Sequence, residues 1–132
     1  MTEATTPTLS ERFTGPEAPS LQDILRCVHC GLCLNHCPTY VETRLETESP
    51  RGRLYLMRGV RQGRIPITEN VVSHLDLCLQ CRNCEAVCPS GVRYGHLMEG
   101  TRAQILRDGQ RAPASWRAGR IVLRTFFSHP QR

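Results

Sequence analysis

The stretch Cys27-Val28-His29-Cys30-Gly31-Leu32-Cys33-Leu34-Asn35-His36-Cys37-Pro38 decides how this chain is read. Its spacing, C-x2-C-x2-C-x3-C-P, returns in Cys78-Leu79-Gln80-Cys81-Arg82-Asn83-Cys84-Glu85-Ala86-Val87-Cys88-Pro89. The two runs hold all 8 cysteines of the 132 residues. A shift of 51 residues moves Cys27 onto Cys78, superposes every cysteine and the closing prolines, and sets Leu21 on Val72 and Ile24 on Leu75. The chain reads as an internal duplication: helix, cysteine loop, turn, helix, twice.

Working outward, Ser20 is placed to cap a helix, with Asp23 in its first turn where negative charge favours the helix dipole. Leu21, Ile24, Leu25 and Val28 fall at i, i+3, i+4 and i+7, one apolar face leading into the first run. Pro38 is expected to redirect the chain at the end of that run. Ser49-Pro50 predicts a helix start, with Leu54, Met57 and Val60 on an apolar side and Gly63 as its stop. Arg51, Arg53, Arg58, Arg61 and Arg64 crowd this segment, either as a solvated or docking face or in salt bridges to the acidic stretch Glu42 to Glu48. Thr68-Glu69 opens a helix in which Val71, Val72 and Leu75 lead into Cys78, mirroring the approach to Cys27. After a Ser90-Gly91 turn, Tyr94 to Arg107 is helix-like, with Leu97, Met98, Thr101, Ile105 and Leu106 on its apolar side and Gly109 near its end. Beyond a break at Pro113, Ser115 caps a last amphipathic segment, Trp116 to Phe127. No useful β-alternation occurs, so the expected fold is mainly α. Residues 1–19 read as a flexible leader, 20–109 as one two-cluster domain, and 110–132 as a linker with a C-terminal amphipathic helix or the start of a truncated region.

Composition narrows the function. The hydrophobic fraction is 39% with 5% aromatic, a modest core that bound metal would help to stabilise. No apolar run is long enough to span a membrane, and the first residues lack the features of a secretory signal. Eight cysteines in that setting point to metal thiolates in a reducing cytoplasm rather than to disulfides. All 17 basic residues are Arg, for which genomic base bias is the plainest account, and most lie in the second half of the chain. A basic second half suits an acidic partner or an anionic membrane surface, at the cytoplasmic face of an inner membrane for instance. Scattered Arg with few aromatics among them argues against nucleic acid.

Spacings of three, three and four residues wrap a short loop around one inorganic object, and a [4Fe–4S] cube needs four thiolates. In two-cluster ferredoxins with this run the fourth cysteine of each run serves the other cluster. On that pattern Cys27, Cys30, Cys33 and Cys88 hold cluster 1, and Cys78, Cys81, Cys84 and Cys37 hold cluster 2. Zinc and disulfides are the alternatives, but zinc does not require a third cysteine and a Cys-Pro closure twice over. Gly31 permits close backbone approach, whereas Arg82 fills the matching slot and either points inward, where it would favour the reduced state of a nearby cluster, or lies outward in solvent. His29, His36, His74, His96 and His129 lie outside the cysteine pattern and are expected in packing or surface roles. No nucleophile–base pair, phosphate loop or paired carboxylates is found, so one-electron relay is the expected chemistry, with no catalytic site in the chain.

The segments CVHCGLCLNHCPTY, ESPRGRLYLMRG and DLCLQCRNCEAVCPSGVRYGHLME resemble the N-terminal region of glycolate oxidase (glycolate dehydrogenase) iron–sulfur subunits, over Leu21 to Leu106. Ser49-Pro50-Arg51-Gly52-Arg53 and Cys88-Pro89-Ser90-Gly91-Val92 make the likeness more specific than the cysteines do. The resemblance implies the α-helical ferredoxin fold, two [4Fe–4S] clusters here, FAD on partner flavoprotein subunits, and electron flow from glycolate to a quinone-type acceptor. Iron–sulfur subunits of D-lactate or glycerol-3-phosphate dehydrogenases, or a heterodisulfide-reductase-like carrier, are alternatives of the same class. A structural metal-binding interaction module is an alternative of another class. Members of the family continue into two CCG-type modules that this sequence lacks, which suggests a fragment, a truncated frame or a split subunit.

Overall fold

The computed structural model describes Phe13, residues 15–107, Val122 and Thr125. Ser20 caps the first helix, α1 (Leu21–Leu25), its hydroxyl accepting from the Asp23 N–H at 3.3 Å. That helix is shorter than its apolar spacing predicts. Ile24 is buried, but Leu25 is exposed and Val28 is 68% exposed. The backbone must leave the helix to enter the cysteine loop at Cys27, so the i+7 position has no helical face to occupy. Pro38 also differs from expectation. After a 3₁₀ turn at Leu34–His36 it takes the first position of α2 (Pro38–Thr43), where a missing N–H costs nothing.

The helix expected at Ser49 is α3 (Pro50–Arg61), with Ser49 Oγ accepting from the Gly52 N–H at 2.9 Å. A Cβ at Gly52 would lie 1.9 Å from the Glu46 carbonyl oxygen, so only glycine fits beneath the 3₁₀ turn Glu46–Glu48. Leu54, Met57 and Val60 are buried, and Gly63, with φ of 68°, lies just past the helix end. Thr68 caps α4 (Glu69–Asp76). A single turn, α5 (Asn83–Ala86), lies within the second cysteine run, and the long α6 (Tyr94–Arg107) follows the Ser90-Gly91 turn.

Among the described residues the structure is helical with no strand, as the periodicity predicts. α3 packs against α1 and α4, and α6 packs against α4 and α5. The core joins Ile24, Leu54, Met57, Val60, Ile67, Val72, Leu75, Leu97, Met98 and Ile105, and Cys27, Cys33, Cys78 and Cys88 pack against its edge. Two residues depart from their expected places. Phe13, within the stretch read as a leader, is fully buried in this core, because one aromatic in a polar stretch leaves no periodic signal. Leu106 is exposed; Gln104 faces inward instead, one turn from Thr101. The segment Trp116 to Phe127 and the breaks at Gly109 and Pro113 lie outside the described residues, Val122 and Thr125 excepted. Among the described residues no helix is long and apolar enough to cross a membrane.

Candidate metal centre

Each cysteine run needs a backbone that folds back on itself within a few residues, and the two runs do this with the same turns. His29 and Gln80, 51 residues apart, have φ of 55° and 53°. Gly31 and Arg82, the next matched pair, have φ of 84° and 59°. Left-handed residues in such short loops turn successive N–H groups toward one side, the arrangement that suits an anionic centre. In the second loop the Gln80 N–H lies 3.4 Å from Cys78 Sγ. Three of these four positions carry side chains that resist φ above zero, so the surrounding structure must hold them there.

Two partly open cavities result. One is lined by Cys27, Cys30, Cys33 and Cys88, with Gly31, Arg51 and Pro89 beside them. The other is lined by Cys37, Cys78, Cys81 and Cys84, with Pro38, Thr39, Arg53 and Tyr94. Each cavity therefore takes three cysteines from one run and the last cysteine of the other. All eight cysteines are free thiols. Among the described residues no group of three or more His, Cys, Asp or Glu side chains is placed to hold a single metal ion; the sulfurs line cavity walls instead.

The electrostatics of the thiols fit a centre that brings its own positive metal. Burial pushes the Cys84 thiol up to about 12, and the neighbouring charges of Cys33, Cys78, Cys37 and Cys81 add to it. Cys33 is raised by burial and then by Cys27. Burial also holds Tyr94 well above the usual phenol range, with Cys78 next in effect; its hydroxyl lies 3.6 Å from Cys78 Sγ. Protein groups alone thus keep these buried thiols protonated, and a bound metal would deprotonate its ligands.

Behind the second cavity lies a polar network that sequence reasoning approached only through the arginines. Arg53 and Glu48, 1% and 2% exposed, pair at 2.6 Å in the core. Arg53 also donates to the His74 carbonyl at 2.8 Å and to Thr39 Oγ1 at 3.0 Å. Glu48 meets His74 Nδ1 at 2.5 Å, and Thr39 Oγ1 donates to the Glu48 carbonyl at 2.8 Å. Cys37 Sγ lies 3.2 Å from Thr39 Oγ1, so the network runs from α4 through α3 to the last cysteine of the first run. Of the two readings open for the arginines, salt bridges to the acidic stretch describe Arg51 with Glu46 and Arg53 with Glu48. His74 has this structural role, and His29, His36 and His96 are exposed; His129 lies outside the described residues. Arg82 borders the second cavity, but its guanidinium pairs with Glu99 of α6.

Paired cysteine cavities of this kind define a class, and residues 23–92 match the model of the 4Fe-4S dicluster domain. The chain belongs to that family of iron–sulfur proteins. Among individual relatives, it is 43% identical to the probable glycolate oxidase iron–sulfur subunit of Bacillus subtilis, over 83% of this chain and 25% of the relative. It is also 43% identical to the glycolate oxidase iron–sulfur subunit of Escherichia coli, over 83% of this chain and 31% of the relative. Identity is 30% to one subunit of the ferredoxin:CoB-CoM heterodisulfide reductase of Methanosarcina mazei, over 76% of this chain and 58% of the relative. The chain thus spans between a quarter and a third of the length of the two glycolate oxidase relatives. No solved structure gives a significant match.

Proposed function

We propose that this chain is the electron-relay region of an iron–sulfur subunit, holding two [4Fe–4S] clusters with exchanged ligands. Cys27, Cys30, Cys33 and Cys88 hold one cluster, and Cys78, Cys81, Cys84 and Cys37 hold the other. The observation that carries this reading is the mixed lining of the two cavities, three cysteines from one run and one from the other. When bound, such clusters supply one-electron transfer. The chain's own residues position the sulfurs, aim loop N–H groups at them and bury Cys37 and Cys84 in the second cavity. The repeat of left-handed turns at an offset of 51 residues supports an internal duplication.

The complex served is proposed from the relatives. A flavoprotein partner oxidises glycolate or a similar 2-hydroxy acid, and this region passes the electrons singly toward a quinone-type acceptor, working from the cytoplasm at or near the membrane surface. The chain itself carries no catalytic site in this reading, and FAD resides on the partner. The first test is anaerobic purification with iron and sulfide counting, expected at about eight of each per chain for two clusters. Colourless protein containing zinc and no labile sulfide would overturn the relay and favour a structural metal-binding module. Co-purification with flavoprotein subunits and glycolate-dependent dye reduction then tests the substrate; D-lactate or glycerol 3-phosphate as the better donor would replace glycolate.

A further inference from the structure

Arg51 and Arg102 stand 51 residues apart, at the same position of the two halves as Cys27 and Cys78 define them. Arg51 lies in the first turn of α3 and donates from Nη1 to the His29 carbonyl at 3.2 Å. It also lines the first cavity, and a Cβ on Gly31 would lie 3.0 Å from its Nη1. Glu46 fixes the other side of the guanidinium, accepting from Nε at 2.6 Å and from Nη2 at 3.2 Å. Arg102 sits on α6 and reaches the second loop through a different set of oxygens. Its Nη1 donates to Gln80 Oε1 at 2.8 Å, and its Nη2 donates to the Cys78 carbonyl at 2.6 Å and the Asp76 carbonyl at 3.1 Å.

The matched residues are His29, held at its backbone carbonyl, and Gln80, held at its side-chain oxygen, and both are left-handed. A loop that turns its N–H groups inward throws carbonyls outward, and a left-handed non-glycine backbone is strained unless it is held. A guanidinium suits both needs, since its planar fork binds several oxygens at once and keeps its charge.

We propose that Arg51 and Arg102 are positioning residues, each holding the cysteine loop of its own half and so tuning the cluster of one cavity and not the other. The inference rests on the two-cluster reading above. A positive charge beside a cluster favours its reduced state, so removing it lowers the midpoint potential.

The test uses the full chain, purified anaerobically with its clusters and titrated with a chemical reductant while EPR spectra are recorded. Cys33→Ser and Cys84→Ser assign the signals to the first and second cavities. Arg102→Met is expected to move the midpoint of the second-cavity signal to more negative potential and leave the first in place; Arg51→Met does the reverse. Arg102→Lys and Arg51→Lys, which keep the charge, return the midpoints most of the way. Shifts of both signals by one substitution, a shift of the wrong signal, or no shift from either would overturn the proposal. Where a Met variant does not fold, the Lys variant is read by the rate at which a chelator bleaches each signal. Several-fold faster loss at the arginine's own cavity supports the assignment, and equal loss at both overturns it. Iron and sulfide counts on the unaltered protein separate the two levels: a count short of two clusters removes the underlying reading, while two clusters with indifferent arginines remove this inference alone.

Discussion

The two cysteine loops share their spacing and their left-handed turns, yet they sit in different surroundings. In the first, the backbone enters α2 at once through Pro38, and Cys37 is carried inward to 8% exposure beside Thr39 and the Glu48 carbonyl. In the second, Ser90-Gly91 turns the chain away after Pro89 before α6 begins, and its last cysteine, Cys88, is only half-buried. Cys84 matches Cys37 in burial, so the cavity they share has two buried cysteines where the other has none. Spacing determines how a loop closes on itself. What lies behind the loop determines how dry and how rigid its centre is, and those are levers on cluster potential.

The strongest way to break this comparison is to exchange the fates of the two last cysteines. Cys37→Ser is expected to abolish or convert the cluster held by Cys78, Cys81 and Cys84, and Cys88→Ser the cluster held by Cys27, Cys30 and Cys33. Iron content and EPR of each variant read the result. Damage confined to the cluster of the variant's own run would refute ligand exchange. Because Cys37 also abuts the buried network, Cys37→Ser should lower the denaturant midpoint more than Cys88→Ser does.

Next in size is the network itself, which backs the second cavity and, among the described residues, has no ion pair of equal burial at the first. Removing one partner from a buried ion pair leaves an uncompensated charge and costs about 3–5 kcal/mol. Arg53→Leu should therefore destabilise the protein by that order, read as loss of visible absorbance in anaerobic urea. The double substitution Arg53→Leu with Glu48→Leu should recover part of the loss, since removing both charges together avoids the orphan. By contrast, Glu46→Gln breaks a half-exposed pair with Arg51 and should cost about 0–1 kcal/mol. Equal costs at the two sites would mean that the two arginines are not distinguished by burial.

Much of this was legible before the structure, and the rest was hidden for physical reasons. Helix starts at Ser20, Ser49 and Thr68 are local, because a hydroxyl reaches an N–H three residues on, and all three caps form. The apolar positions of α3 and α4 follow the helical period because each helix has one buried face. At α1 the period misled, since the demands of the loop at Cys27 override the helical pattern at Leu25 and Val28. The ion pair of Arg53 with Glu48 was open as one reading of the acidic stretch. Its burial was not, because nothing in a run of five arginines says which one faces inward. Arg102 was missed altogether, although the 51-residue offset that aligns the cysteines also sets it on Arg51. Phe13 was hidden in a stretch with no periodicity to mark it.

The smallest effect concerns what ties the halves together away from the cavities. Asp23 of α1 accepts from Arg93, at the entry to α6, at 2.8 Å, and this bond holds the Asp23 carboxyl below the usual carboxylate range. Burial opposes the shift, and the charge of Arg93 followed by that of Arg26 adds to it. A carboxyl whose folded pKa is depressed contributes stability that is fully present above its unfolded value, about 3.9, and is lost as pH falls through the folded value. Arg93 is largely exposed, so the pair is screened by solvent and worth about 0.2–1 kcal/mol. Asp23→Asn should thus lower the denaturant midpoint slightly at neutral pH, and the gap to the unaltered protein should narrow only below about pH 4. It should also shrink in high salt, and Arg93→Met should add little to Asp23→Asn in a double-mutant cycle. A gap that persists unchanged to the lowest pH at which the clusters survive would show that Asp23 acts through packing at the α1 terminus, leaving ligand exchange as the stronger link between the halves.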